Sequence, residues 1–379
     1  MKLLSVAQIR YYWHYFKIDT PLFLLIIALS GFGLIVLYSA SEGSMQTMYK
    51  QAFHFALAIC AMLIIAQIPP YELKRFSPYL MLFGIFLLFL VLFFGSNSGG
   101  AQRWLNFGFI RFQPSEIMKV IVPIAIASIL SEKTFLPKLL PIFLSIVAII
   151  LIVILIAKQP DLGTSLLIAA SGFYVLFFSG VRIQIVKNNW LNFTLISSIT
   201  MLGVYVLWNY LLIGYQKERI MTLFDPSSDP LGSGYHILQS KIAIGSGGLI
   251  GKGLGQGSQS HLNFLPEHTT DFIFAVIAEE LGFIGIIFLF TLYGLIIYRL
   301  LIISFQSEDN FSKLLGLSLT FVFFTYIFVN VGMVSGLLPV VGVPLPMISY
   351  GGSSIITLMS SFGIIMAIRK HKTPSYLQK

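Results

Sequence analysis

Asp271 is the focal residue of the one long polar segment of this sequence. It closes a polar, glycine-rich interlude at 214–271 and directly precedes a long apolar stretch. A carboxylate there could accept a proton from a substrate hydroxyl, and it could equally cap the helix that the apolar residues predict. The helix dipole favours the ionised form and weakens such a base, whereas Glu267, four residues earlier, opposes ionisation by like-charge repulsion. The local sequence leaves both roles open.

A second group of charges lies at the ends of predicted helices. Glu116 and Lys119 are spaced i, i+3 just after a Pro-Ser pair, which is typical of a helix start. An ion pair one turn into an apolar helix is costly in a bilayer, which favours a functional polar role over a plain helix start. Lys158 and Asp161 share a very short connection, where they could form a capped turn or line a polar cavity.

Arg103 is a candidate phosphate ligand. It stands beside Trp104 in a glycine-containing segment that we place on the outer side of the membrane. An arginine next to a tryptophan is commonly an interfacial anchor, whereas a guanidinium group can also bind phosphate oxygens in a bidentate manner. Both interpretations stay open for Arg103.

The glycine run at 245–253 does not fit a nucleotide phosphate loop. Such a loop needs glycine at position 246 and Ser or Thr at position 253, and this chain has neither. Glycine turns that shape a loop are the favoured interpretation. The histidines of the same polar interlude have no zinc-binding spacing, so each is expected at the surface: His236, His261 and His268.

The composition is that of an integral membrane protein. Of 379 residues, 56% are hydrophobic, 15% aromatic and only 10% charged, and the mean hydropathy is +0.86. A water-soluble globule cannot bury that many apolar side chains. The net charge of +9 is concentrated at the ends of apolar blocks, which favours membrane orientation over nucleic-acid binding. The single cysteine, Cys60, excludes an intramolecular disulfide.

Ten apolar stretches approach the roughly 20 residues that a transmembrane helix needs. We therefore predict an all-α integral membrane protein with about ten transmembrane helices, as a single polytopic domain over 1–379. The predicted spans are 21–40, 52–68, 78–94, 115–130, 136–157, 162–178, 191–212, 282–303, 314–331 and 347–368.

The basic residues predict the orientation of these spans. With both termini in the cytoplasm, most of the 24 lysines and arginines lie on the inner side, as the positive-inside rule requires. This arrangement places 95–114, 213–281 and 332–346 on the outer face. The first apolar block is longer than the core of a signal peptide, so we expect it to be retained as a span.

The apolar stretch after Asp271 is too long for one straight span. It extends to position 303, or about 48 Å as a helix, whereas the hydrocarbon core is about 30 Å thick. Glycines at 282 and 285 favour a break there. We predict a large extracytoplasmic loop, about 213–281, between spans seven and eight. It contains short half-helices, one of them over about 272–281, with Asp271 at its start near the outer membrane boundary.

Several blocks together resemble the SEDS family (shape, elongation, division, sporulation). They are FQPSE at 112–116, KQPDLG at 158–163, GYHILQSKIAIGSGG at 234–248, PEHTTDF at 266–272, AEELG at 278–282 and LPMISYGGSS at 345–354. They follow the family's order over essentially the whole chain. Blocks 239–248 and 341–346 are more similar to the rod-elongation branch than to the division branch. One departure is Thr269, where the family usually has histidine.

The resemblance implies a peptidoglycan glycosyltransferase that polymerises lipid II on the outer face of the bacterial inner membrane during rod-shape elongation. The family's essential aspartate corresponds to Asp271, which gives it the role of catalytic base. The expected substrate-binding residues are Arg103, Glu116, Lys119, Lys158, Asp161, Gln239, Lys241, Glu267, Ser349 and Ser353. The leaving pyrophosphate calls for positive charge, from these basic residues or from a divalent cation such as Mg²⁺ or Mn²⁺.

The resemblance also implies partners. A class B penicillin-binding transpeptidase would cross-link the product, and other elongasome proteins would join it. Three alternatives stay open at this point: a lipid II flippase, a non-catalytic scaffold, and the division paralogue. Many spans with broken helices and buried charges would look much the same in a transporter.

Overall fold

The structure is a computed structural model that describes residues 18–98, 101–106, 111–131, 139–180, 189–206, 208–209, 214–229, 232–261 and 267–370. The N-terminal segment predicted to be cytoplasmic, 1–17, and the basic C-terminal residues from 371 onward lie outside these ranges. Residues 262–266 of the polar interlude lie outside them as well.

Helices form most of the described chain. They are α1 (Thr20–Ala40), α2 (Met45–Ile65), α3 (Pro70–Phe94), α4 (Pro114–Leu130), α5 (Leu139–Ala157), α6 (Leu162–Phe178), α7 (Asn189–Val206), α8 (Gly214–Phe224), α9 (Ser233–Ser246), α10 (Ser258–His261), α11 (Ile273–Phe305), α12 (Asn310–Val334) and α13 (Ser353–Lys370).

A helix covers most of each predicted span. Among the described residues, six helices are long and apolar enough to cross a membrane: α1, α2, α3, α5, α11 and α12. Membrane crossing by α4, α6, α7 and α13 stays a prediction. The short helices α8, α9 and α10 lie in the polar interlude.

The expectation of an all-α chain is wrong in one segment. Three short strands, β1 (Ser96–Ser98), β2 (Ala101–Asn106) and β3 (Arg111–Phe112), form an antiparallel sheet in the order β1-β2-β3. The prediction treated this segment only as an outer loop. An extended chain between two helices must satisfy its backbone groups, and pairing in a small sheet does so. This sheet holds Arg103 on its middle strand.

The predicted break in α11 is present at Gly282. Its dihedral angles, φ 63° and ψ −160°, are in a region that essentially only glycine adopts. The break frees backbone groups, and the glycine-rich loop 248–253 pairs with them. Four hydrogen bonds of 2.9–3.1 Å form, from Lys252 to Glu279, Gly253 to Glu280, Phe283 to Gly248 and Ile284 to Leu249. The glycine run therefore shapes a loop, as its sequence favoured.

The protein core centres on α4, α12 and α13, and α6 and α11 pack against α12. Nearly all of α4 and most of α12 are buried, whereas α3 and α5 expose large apolar side chains such as Phe93 and Leu139. In a bilayer those exposed faces contact lipid. One end of the bundle is tied by the buried Asp19, which caps α1 and binds Arg299 of α11 at 2.9 Å and Arg369 of α13.

Candidate active site

A cavity of about 760 Å³ lies beside Asp271. Its walls come from β2, α4, α6, α8, α9, the turn at 267–272 and the segment 340–354. Most of the predicted site residues line it, namely Arg103, Glu116, Lys119, Asp161, Glu267, Asp271 and Ser353. Residues far apart in the chain therefore meet around one space.

Four predicted site residues do not line this cavity: Lys158, Gln239, Lys241 and Ser349. Lys158 and Lys241 have exposed side chains, and Lys241 lies against Gly336, outside the cavity lining. On α9 it is the neighbouring Ser240 that is buried, so Lys241 is directed elsewhere on the helix. Their contacts with a substrate remain predictions.

The Asp271 side chain does not cap the half-helix that follows it. The N-cap residue is Phe272, and no side chain makes the capping hydrogen bond. The Asp271 carboxylate instead lies against Gly342, where an added Cβ would be 3.3 Å from its Oδ2 atom. Gly342 has a φ of +72°, which favours glycine at this position.

The surroundings of Asp271 make it a better base. Burial, the largest cause, and repulsion from Glu267 together raise the pKa of its carboxyl to about 6, against the opposing effect of the positive charge of Arg219. Burial, which the local sequence does not reveal, therefore outweighs the other causes. A carboxylate with this pKa is largely ionised at neutral pH and still basic enough to take a proton.

The backbone that precedes the half-helix is held by hydrogen bonds from other segments of the chain. Three consecutive carbonyl groups accept hydrogen bonds: Thr269 from the Tyr350 N–H (2.9 Å), Thr270 from the Ser349 hydroxyl (2.5 Å) and Asp271 from the Asn330 amide (2.8 Å). Ser349 is thus part of the support beneath Asp271. Gln51 in turn donates to the Ser349 carbonyl at 3.0 Å and accepts from the Gly351 N–H at 3.3 Å.

The wall formed by α4 contains a buried ion pair. The Lys119 ammonium lies 2.6 Å from the Glu116 Oε1 atom and also donates to the Tyr326 hydroxyl, whose ring centroid is 4.8 Å away. The positive charge of Lys119 is therefore balanced within the protein. The other carboxylate oxygen, Glu116 Oε2, has no hydrogen-bond partner among the described residues.

Asp161 has both roles that the sequence left open: it caps a helix and it lines the polar cavity. Its Oδ1 atom accepts from the Thr164 N–H at 3.2 Å and caps α6, while its Oδ2 atom accepts from the Gln113 amide at 2.7 Å. Arg103 donates to the carbonyl of the adjacent Pro160. These contacts join β2, the start of α4 and the start of α6 into one polar wall of the cavity.

The sequence interpretation missed several cavity residues. Glu218 and Arg219 of α8, Asp229, and His236 of α9 all line it. His236 was expected at the surface, yet it is partly buried with its ring 5.5 Å from that of Phe272, and burial lowers the pKa of its imidazole. Their placement depends on tertiary contacts of the polar interlude. His236 lies in the family block at 234–248, whereas none of the family blocks contains Glu218, Arg219 or Asp229.

The described residues contain no group of three or more His, Cys, Asp or Glu side chains placed to hold a metal ion. Asp161 is already committed to a helix cap and a glutamine amide, and Glu116 to Lys119. Of the carboxylate oxygens of Glu116 and Asp161, only Glu116 Oε2 has no partner among the described residues.

The family model described as "Cell cycle protein", for FtsW, RodA and SpoVE, matches residues 20–374. This chain belongs to the FtsW/RodA/SpoVE family. The family resemblance predicted from its sequence blocks is thereby confirmed.

Family members match this chain over nearly their whole length. The peptidoglycan glycosyltransferase MrdB of Escherichia coli K12 is 46% identical over 363 residues, which cover 95% of this chain and 96% of MrdB. The probable peptidoglycan glycosyltransferase FtsW of Haemophilus influenzae is 33% identical, over 92% of this chain and 90% of its own. The higher identity to MrdB agrees with the predicted rod-elongation branch.

Solved structures of the FtsW/RodA/SpoVE family share the fold. A chain of a peptidoglycan synthase complex that coordinates polymerization and crosslinking superposes with a TM-score of 0.79 at 29% identity. The Thermus thermophilus rod shape determining protein RodA superposes with a TM-score of 0.70 at 25% identity. Each comparison covers 94% of this chain and 98% of the other.

Proposed function

We propose that this chain is a peptidoglycan glycosyltransferase of the bacterial inner membrane that polymerises lipid II during rod-shape elongation. The observation that carries the proposal is the Asp271 carboxylate, which faces a polar cavity bordered by apolar helices and has its pKa raised to about 6. The relatives named peptidoglycan glycosyltransferase support the assignment.

The proposed reaction joins two lipid-linked disaccharides. Asp271 accepts the proton of the acceptor's GlcNAc 4-hydroxyl while that oxygen attacks C1 of the donor's MurNAc. The bond between C1 and the pyrophosphate oxygen breaks, the anomeric centre is inverted, and undecaprenyl pyrophosphate leaves. A base with a pKa near the working pH suits this proton transfer because it is ionised before the step and holds the proton after it.

Arg103 and Arg219 are the residues we assign to the leaving pyrophosphate. Both guanidinium side chains line the cavity, and the Arg103 Nε atom has no hydrogen-bond partner among the described residues. A guanidinium group binds phosphate oxygens in a bidentate manner and stabilises the charge that develops on them. Lys119, a predicted candidate for the same role, is already paired with Glu116.

A divalent cation enters the proposal only as a counter-ion carried by the pyrophosphate. Among the described residues, no group of three or more His, Cys, Asp or Glu side chains is placed to hold a metal ion. The two arginines carry the neutralisation of charge instead.

The proposed setting is a multi-pass inner-membrane protein with the cavity on the outer face and both termini in the cytoplasm. The distribution of lysines and arginines supports this orientation. The proposed partner is a class B penicillin-binding transpeptidase. The similarity to a chain of a complex that coordinates polymerization and crosslinking supports this partner.

The experiment that tests the proposed function separates polymerisation from transport. The purified protein is placed in liposomes with labelled lipid II, glycan strands are resolved on gels, and translocation is followed by the accessibility of the headgroup. We expect glycan strands that disappear with Asp271→Ala. Translocation of lipid II without strands would overturn the proposal in favour of a flippase.

A further inference from the structure

Asn330 connects two walls of the cavity from inside the helix bundle. It lies on α12 with a fully buried side chain. Its Nδ2 group donates to the Asp271 carbonyl at 2.8 Å and to the Val343 carbonyl at 2.7 Å. Asp271 and Val343 both line the cavity, and they belong to segments more than seventy positions apart in the chain.

The two bonds hold the backbone on both sides of the Asp271 carboxylate. Gly342, next to Val343, is the residue against which the carboxylate packs. One amide nitrogen with two hydrogens therefore holds both the residue that bears the carboxylate and the segment that contacts it. α12 is a rigid base for this link because most of its side chains are buried in the core.

We infer that Asn330 is a positioning residue, which holds the Asp271 carboxylate against Gly342 in the geometry that proton transfer needs. The inference rests on the proposed function, because it assigns Asn330 a task in that reaction. An amide suits the task because its two hydrogens match two carbonyl acceptors. Without it, the Asp271 and Val343 carbonyls lose this donor, and the turn at 267–272 relaxes toward water.

Such a relaxation changes the environment of Asp271. Glu267 of the same turn and Arg219 of α8 are the charged groups that act on its carboxyl. Three further titratable residues line the same cavity nearby, namely Glu218, Asp229 and His236. Because burial is the largest cause of the raised pKa of Asp271, a carboxylate nearer to water ionises at lower pH.

The test compares Asn330→Ala with Ser318→Ala in the full-length purified protein. Ser318 is a matched control: it is fully buried on the same helix, and its hydroxyl donates to the Ser171 carbonyl at 2.8 Å. Lipid II polymerisation gives kcat, KM and the pH dependence of kcat/KM, and thermal melting reports folding. If Asn330→Ala does not fold, Asn330→Ser replaces it in the same measurements.

We expect Asn330→Ala to lower kcat on the order of tenfold to a hundredfold, because displacing a reacting group by about 1 Å costs that much. KM stays within about twofold. The acidic limb of the pH profile, which is the rise of kcat/KM as Asp271 ionises, moves to lower pH. Ser318→Ala keeps the wild-type kcat and acidic limb even where its melting temperature falls.

An acidic limb that stays at its wild-type position in the folded Asn330 variants would overturn the inference, whatever the change in kcat. If the wild-type protein itself makes no glycan strands, the proposed function fails instead. The two failures are therefore distinguishable.

Discussion

The Lys119 ammonium lies 2.6 Å from the Glu116 carboxylate in the wall of the cavity, and the two side chains are only 3% and 8% exposed. Burying a single charge without a partner is far more costly than burying a pair. The pair therefore keeps this wall polar, and neither member is free to leave the other without a loss of stability.

Lys119→Met is expected to lower the free energy of unfolding by about 3–5 kcal/mol, because it leaves the Glu116 carboxylate buried without a counter-charge. The double variant Glu116→Gln/Lys119→Met recovers most of that loss. Melting temperatures in detergent measure both effects. The exposed Lys158→Met is the control, with a change within about 0.5 kcal/mol. A single Lys119 variant as stable as the wild type would contradict this view of the wall.

The polymerisation rate depends on pH through Asp271. As a base, Asp271 must be ionised, so kcat/KM rises as the pH increases through about 6, the pKa of its carboxyl. Measurement of kcat/KM from acidic to neutral pH checks this rise. A rate that is level across that range would mean that another group is the base.

Two substitutions should move the acidic limb in opposite directions. Glu267→Gln removes a repulsion that raises the pKa of Asp271, so the limb moves to lower pH. Arg219→Gln removes an attraction that lowers this pKa, so the limb moves to higher pH. The position of the limb is the readout, because Arg219→Gln also slows the reaction. Shifts of the same sign would contradict the proposed electrostatics.

Gly282→Ala tests the break in α11. A Cβ at Gly282 would lie 2.4 Å from the backbone nitrogen of Gly251, and the φ of +63° adds strain for any other residue. We expect the backbone strain alone to lower the free energy of unfolding by about 1–3 kcal/mol. Gly294→Ala is the matched control on the same helix, with no atom within 4 Å of its added Cβ. It should be neutral or stabilising by up to about 1 kcal/mol. Equal melting temperatures for the two variants would contradict the proposed role of Gly282.

The sequence predicts those parts of the fold that depend on length and local chemistry. Apolar stretches locate the helices, and the excess length after Asp271, with a glycine at 282, locates the break. Asp161 could be recognised as a helix cap from its position alone. The small sheet was missed because its pairing satisfies the backbone of a segment with no clear alternating pattern.

The site itself was only partly predictable, because its chemistry depends on contacts between distant segments. Local reasoning could not decide whether Asp271 is a cap or a base, since the decisive factor is the burial of its carboxyl in the folded protein. Arg219 and Asn330 approach Asp271 from other helices, and nothing near them in the sequence indicates this. Lys241 carries the charge that a phosphate site needs, yet its position on α9 turns it away from the cavity.

The most direct test of the central claim is lipid II polymerisation by purified Asp271→Asn, which removes the base and keeps the shape of the side chain. We expect wild-type protein to form glycan strands and Asp271→Asn to be slower by about 10²–10⁴-fold, with an unchanged fold by thermal melting. Glu308→Gln, in the exposed loop between α11 and α12, should retain the wild-type rate. Strand formation by Asp271→Asn at the wild-type rate would contradict the assignment of Asp271 as the catalytic base.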